Sequence, residues 1–366
     1  MKQAITFDDV LLIPNYNHYE SRKVVDISNT DRTGNLKLDL PVFTANMDTI
    51  TESSMASFIR GFGGMGVLHR FMSIERNIEQ FQKFKDTFVS VGCSDKEFER
   101  FLALKEVGAD KFCVDVAHGH AKYVGKMIKK MKQAYPGCLI MAGNVATYAG
   151  ADYLASVGAD LIKVGIGPGS VCTTRIKTGF GVPQLTAIEE CAKVDRSIVA
   201  DGGIRTPGDV VKALAFGADF VMVGGMLAGT EPSPGKIVHK LDKHIIKEAL
   251  DENTWGNKVG FNFQYLSDNF GPVTSFKEYR GMASKEAADD HLGGLTEWKT
   301  AEGVSTQVLY KNLNESKAII QDIIGGLRSG LTYAGASDIK ELQRKLNYTI
   351  ITNSGLIESK PHKDLK

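Results

Sequence analysis

Short apolar runs rich in β-branched residues recur through the first 226 positions, and each is bounded by glycine, aspartate or asparagine. They predict strands at LPVFTANMD (40–48), GMGVLH (64–69), FVSVGC (88–93), KFCVDVAH (111–118), LIMAGNV (139–145), LIKVGIG (161–167), SIVADGG (197–203) and FVMVGGM (220–226). Between them lie SMASFIRGF, IERNIEQFQKF, DKEFERFLALKEVG, AKYVGKMIKKMKQAY, YAGADYLASVG, QLTAIEECAKV and TPGDVVKALAFG, whose apolar positions recur at helical spacing. One device repeats: VGAD at 107–110 and 157–160 and FGAD at 216–219 predict a glycine that ends a helix directly before the next strand. Runs such as LIKVGIG, apolar on both faces, suit parallel strands covered by helices. Eight such strands with intervening helices predict an α/β fold, a (β/α)8 TIM barrel rather than an open doubly wound sheet.

The pattern changes after the eighth strand. Residues 230–312 show no clean βα unit and are rich in Gly, Asp, Asn and Lys, which predicts a long active-site excursion. Helical period returns at ESKAIIQDIIGGLRSGL (315–331), a closing helix, and the tail from Thr352 is polar and expected to be loose. The whole chain, 1–366, reads as a single catalytic barrel domain with the flap or insert region at 230–312 inside it and no inserted regulatory domain.

Composition narrows the class. A net charge of +1 over 366 residues gives no basic field for nucleic acid, and no run of 18 apolar residues predicts a membrane span. With no signal-type run in MKQAITFDDV, the chain is expected to be soluble and cytoplasmic. Five cysteines without a CxxC pair or Cys/His cluster argue against a disulfide framework or zinc site. Cys93, Cys113, Cys138 and Cys191 sit in apolar or helical contexts and read as buried hydrophobes.

Cys172 differs. In KVGIGPGSVCTTR (163–175) it follows three glycines and a proline on the rim after the sixth strand, where chemistry in this fold sits. Arg175 and Lys177 behind it would favour the nucleophilic thiolate. The paired glycines of ADGGIRTPGD (200–209) and VGGMLAGTE (223–231) follow strands seven and eight, the usual phosphate position of the fold. Asp115 and His118, closing strand four, either line the pocket or anchor a loop. Taken alone, Glu302 reads as a solvated loop carboxylate.

FDDVLLIP, ANMDT, AGNV, GIGPGSVCTTR, TGFGVPQ, ADGGIRTPGD, VMVGG, YRGM and AEG, in this order from Ile5 to about Tyr348, together resemble the IMP dehydrogenase and GMP reductase family. The resemblance implies that Cys172 forms a thioimidate with C2 of a purine nucleotide, GMP or IMP. It implies phosphate and ribose contacts at Ser170, Asp201, Gly202, Gly203, Gly224 and Gly225, and base contacts at Met282, Ala283, Ser284, Lys299 and Gly303. It assigns a nicotinamide cofactor to Ser21, Arg22, Arg70, Asp115, Val116, Ala117, Ser329, Gly330, Leu331 and Thr332. It makes Gly167, Gly169, Cys172 and Arg175 candidate ligands of a monovalent cation such as potassium, and it implies a homotetramer.

The family's two reactions run the shared intermediate in opposite directions. The dehydrogenases activate water with an Arg-Tyr pair on a flap. Here the matching interval, GMASKEAADDHLGGLTEWKTAEG (281–303), contains neither arginine nor tyrosine and is shorter by roughly two helical turns. HLGGLTEWKTAEG and IIGGLRSGLTYAGA instead resemble the reductase branch, which implies reduction of GMP to IMP by NADPH with Thr174 and Glu302 as the proton-transfer pair. The other readings are an IMP dehydrogenase without its regulatory domain and a non-catalytic nucleotide-binding barrel. Residues 236–276 exceed the family's usual connection by about twenty residues, several times an ordinary loop. That insert either extends a β-hairpin near the mouth or mediates subunit contacts.

Overall fold

The computed structural model of the chain describes residues 3–241, 244–245, 273–294, 296–297 and 300–361. All eight predicted barrel strands form: β1 (Val42–Thr44), β2 (Val67–Leu68), β3 (Phe88–Val91), β4 (Lys111–Asp115), β5 (Leu139–Val145), β6 (Leu161–Val164), β7 (Ser197–Asp201) and β8 (Phe220–Val223). They pair in parallel in the order β1-β8-β7-β6-β5-β4-β3-β2, and a bridge from Phe43 to Met65 closes the ring at the entry to β2. The chain is a TIM barrel. Phe43 packs edge-on to Phe88 and Phe220, at 5.6 and 5.5 Å between ring centres, the arrangement that aromatic quadrupoles favour.

The repeated glycine-aspartate device does two things. Gly108, Gly158 and Gly217 adopt φ of 97°, 108° and 108°, a region that side chains strain to enter, and so end their helices. The aspartates that follow two of them lock the bottom of the barrel. Asp160 accepts from the Ile140 amide (2.8 Å) and pairs with Lys132 (2.7 Å). Asp219, fully buried, accepts from the Ile198 amide (2.9 Å) and pairs with Arg32 (3.1 Å) and Lys340 (2.5 Å).

Three elements depart from the sequence pattern. Val10–Leu12 pairs antiparallel with Tyr348–Ile350, a contact between chain ends that local periodicity does not signal. The tail expected to be loose forms the helix Asn353–Glu358, because Thr352 caps it by accepting from the Gly355 amide. The excursion after β8 contains an antiparallel sheet of β9 (Ile237–Leu241), β10 (Val273–Arg280) and β11 (Ser305–Leu309), with His244–Ile245 paired to β9. A helix at Lys285–Leu292 lies between β10 and β11. At the base of the insert β9 and β10 pair antiparallel, Ile237 with Lys277 and Leu241 with Val273, while residues 246–272 lie outside the described residues. These strands lie on the barrel rather than in it. β11 buries no residue fully, so its hydrophobic signal is weak.

Lys277 fastens this sheet to the barrel. Its ammonium donates to the carbonyls of Thr230, Glu231 and Ser233 at 3.1, 3.1 and 2.7 Å, on the turn that leaves β8. Burial, opposed by the Glu231 carboxylate, pulls Lys277 down to about 8.

Candidate active site

The C-terminal ends of the strands open into a cavity of about 1310 Å³. Its wall includes Cys172, Thr174, Glu302, Ser170, Asp201, Tyr279 and Met282. The loop after β6 carries the thiol. Its Cys172 amide donates to the Gly169 carbonyl (3.1 Å), and residues 174–178 turn into one short helix ended by Gly179. The other side of the loop is laced to the excursion. The Thr173 amide donates to the Glu302 carbonyl (2.8 Å), the Val304 amide to the Val171 carbonyl (3.0 Å), and Cys172 faces Gly303 in an antiparallel bridge.

This lacing brings together side chains 130 positions apart. The Cys172 thiol donates to Thr174 Oγ1 at 3.2 Å, and that hydroxyl donates to Glu302 Oε2 at 2.8 Å. A thiol, a hydroxyl and a carboxylate thus form one line along which a proton can pass. Glu302, which taken alone read as solvated, is the end of that line. Of the other four thiols, Cys113, Cys138 and Cys191 are buried and Cys93 is half-buried. Burial pushes Cys93 and Cys138 up to about 11 and Cys113 and Cys191 up to about 12. Arg175 braces the loop by donating to the Ile166 (3.4 Å) and Val182 (2.6 Å) carbonyls.

The expected phosphate residues converge on the cavity. Ser170 Oγ stands 3.0 Å from the Tyr279 hydroxyl. Both hydroxyls face bare backbone, since a Cβ built on Gly225 would lie 3.2 Å from Ser170 Oγ and 3.5 Å from the Tyr279 oxygen. Gly202, Gly203 and Gly224 line the same region. Tyr279 was visible in the YRGM motif but received no role from the sequence. Burial, with Asp201 adding to it and the Ser170 bond opposing, holds its phenol above the ordinary value, so it stays a donor.

Elsewhere along the wall, Met282 Sδ accepts from the Asp48 amide (3.3 Å), and the Ala283 carbonyl accepts from the Glu302 amide (2.9 Å). The Ser284 hydroxyl caps the helix Lys285–Leu292 by accepting from the Ala287 amide (3.2 Å). Lys299 lies outside the described residues. A cluster that sequence reasoning missed secures this wall. Arg280 donates to Asp48 (2.5 Å) and Asp290 (2.6 Å), and His291 Nε2 stands 2.8 Å from Asp48 Oδ2. Burial opposes ionisation of Asp48, but the bonds from Arg280 and His291 outweigh it and hold the carboxyl below its ordinary value.

The structure divides the expected cofactor residues. Arg70, Asp115, Val116 and Ala117 line the main cavity. Arg22 and Thr332 line a separate cavity of about 300 Å³ with Asn15, Asn17 and Tyr333. Ser21 caps a short turn by accepting from the Lys23 amide. Ser329 to Thr332 lie near the end of the helix Leu313–Ala334, where Leu331 is buried in the core and Gly330 packs against Val211. Those two contribute packing on this chain rather than a side chain for a ligand. Among the described residues, no group of three His, Cys, Asp or Glu side chains is placed to hold a metal ion, and no helix is long and apolar enough to cross a membrane.

The profile of the IMP dehydrogenase / GMP reductase domain matches residues 4–249 and 269–362. The chain is 38% identical over 356 residues to a GMP reductase of Escherichia coli O81 (strain ED1a), covering 93% of each, and to the same degree to a GMP reductase of Shigella flexneri. A crystal structure of an inosine 5′-monophosphate dehydrogenase from Legionella pneumophila is similar with a TM-score of 0.81 and 60% identity, over 96% of this chain and 100% of that one. With nearly its whole length matched, the chain belongs to the IMP dehydrogenase/GMP reductase family, whose members are oxidoreductases acting on purine nucleotides with a nicotinamide cofactor.

Proposed function

We propose that this protein is an NADPH-dependent GMP reductase, converting GMP to IMP and ammonia. The observation that carries the reading is the line from Cys172 through Thr174 to Glu302. It is joined by the lack of arginine and tyrosine in residues 281–303. A reductase must expel an amine, which needs a proton. A dehydrogenase must activate water, which needs a base on a flap.

In this reading the Cys172 sulfur bonds to C2 of the guanine, and its proton passes to Thr174 and Glu302. The same pair returns a proton to the 2-amino group, which leaves as ammonia and yields the thioimidate. Bound NADPH supplies the hydride that C2 accepts next. The carbon–sulfur bond then breaks, IMP forms, and Cys172 is regenerated as thiolate. Ser170, Tyr279 and the glycine backbones hold the phosphate, and Met282 and Ala283 wall the base. Arg70 suits an anionic cofactor group, since its Nε is buried without a partner among the described residues. The monovalent cation fits the loop in donor class. The Gly169 carbonyl, bound to one amide, keeps a second lone pair, and Arg175 would contribute its carbonyl. The same reading makes the chain one catalytic domain and a homotetramer.

A second reading, IMP dehydrogenase, is favoured by the 60% identity to the Legionella structure of that name. Two assays decide. GMP with NADPH should consume NADPH and release ammonia in equal amounts. Conversion of IMP and NAD to XMP without GMP reduction overturns the reductase reading.

A further inference from the structure

A buried cation stands in the apolar wall of the barrel. Lys163 lies on β6 with its side chain 3% exposed. Its ammonium donates to Asp115 Oδ1 (3.0 Å), Asn144 Oδ1 (2.5 Å) and Asp201 Oδ2 (2.9 Å). An ammonium has three protons to donate, and all three are spent. Lys163 therefore has none left for a ligand.

Its partners stand on the two flanking strands and on the strand beyond one of them. Asp115 ends β4, Asn144 lies in β5 and Asp201 ends β7. Their approach requires a glycine beside Lys163, since a Cβ on Gly143 would stand 2.6 Å from Lys163 Cβ and 2.5 Å from its carbonyl oxygen. Burial weakens the hold of Lys163 on its proton, but Asp201 and Asp115 more than reverse this and raise its affinity for the proton. In return, although burial opposes it, Lys163 and then Arg70 lower Asp115. Without the ammonium, two carboxylates would face each other across a buried site. Asp201 Oδ2 also accepts from Asn144 Nδ2 (2.9 Å), while no described residue takes its Oδ1. Asp115 and Asp201 both line the main cavity.

We propose that Lys163 is a positioning residue that joins the nucleotide site to the cofactor site, fixing Asp201 toward the ribose of the purine nucleotide and Asp115 toward the nicotinamide nucleotide at the same time. This rests on the functional reading above, in which those two carboxylates serve different ligands. It departs from an ordinary structural lysine in one respect: its loss is felt by each ligand through a different carboxylate.

The test uses the full-length protein and calorimetric titration of IMP, which both directions of the family's chemistry share, and of NADP⁺ or NAD⁺, whichever the wild type binds. Lys163→Met should weaken both ligands by about 10- to 100-fold, the scale of lost charge-assisted hydrogen bonds. In an Asp201→Asn background the same change should no longer affect IMP while still weakening the dinucleotide. In an Asp115→Asn background the pattern should invert. Lys163→Arg, which keeps the charge but not the three-way geometry, should give the same pattern at smaller size and carries the cycle if Lys163→Met does not fold. Losses that are additive in both backgrounds, or confined to one ligand, overturn the proposal and leave the functional reading standing. A wild type that binds neither ligand overturns both.

Discussion

Asp219 and Asp201 flank the same helical connection, one at the bottom of the barrel and one at the top. Asp219 is saturated: Oδ2 takes the Ile198 amide and Arg32, Oδ1 takes Lys340, and the side chain is fully buried. Asp201 is held just as firmly through Oδ2, by Lys163 and Asn144, yet its side chain keeps 20% exposure and its Oδ1 has no described partner. Similar chemistry thus serves two ends. The bottom face uses up its polar groups on itself, whereas the top fixes them in place with one valence left over. The site is where the fold stops short of satisfying itself.

That contrast predicts which changes abolish chemistry and which abolish the fold. Cys172→Ala should produce the largest effect, a loss of about 10⁴-fold or more in kcat with the melting temperature unchanged. A comparable loss of thermal stability would place the thiol in the scaffold. Thr174→Val and Glu302→Gln should each lower kcat by about 10²–10⁴-fold, again without a change in melting. Mass spectrometry of the protein mixed with GMP should still show whether nucleotide becomes bonded to Cys172. Asp219→Ala should reverse the pattern. Breaking a buried pair costs about 3–5 kcal/mol of stability, seen in urea unfolding, while kcat/KM of the folded fraction stays that of the wild type. A selective loss of activity would break the top-and-bottom division.

The smallest effect concerns Lys277, which fastens the excursion to the turn after β8 and does not line the cavity. Its folded value is about 8 and its ordinary value is 10.5, so between these the unfolded chain binds more protons. Relative to Lys277→Met, wild-type stability should therefore rise from pH 8 to 10.5, and the gain should be lost as pH falls through 8. Paired urea titrations across that window check the sign.

The barrel was legible because each βα unit is local and repeats its own punctuation, as in VGAD and FGAD. Cys172 was legible because its glycines interrupt an apolar strand. Other features were hidden for specific reasons. Glu302 depends on backbone bonds to a loop far away in sequence. β11 buries no residue fully, and Val10–Leu12 needs the other chain end to pair. Lys163 was in plain view in LIKVGIG, but a reading by apolar period passes over the one residue that breaks it. The Arg280, Asp48 and His291 cluster joins the loop after β1 to an excursion more than 200 positions later, and no spacing rule links them.

One feature of the site bears on how such enzymes diverge. The strip from Gly281 to Val304 is fastened by main-chain bonds: Gly281 to Val304, Glu302 to Ala283, Thr173 to Glu302, and Val304 to Val171. Such bonds are indifferent to side-chain identity. The two ends of the strip therefore keep their place beside the loop of the sulfur whatever side chains they carry, while Asp290 and His291 between them are held by their side chains to Arg280 and Asp48. Reciprocal grafts of residues 281–303 between this chain and relatives of each name would test whether that ribbon sets the direction of the reaction.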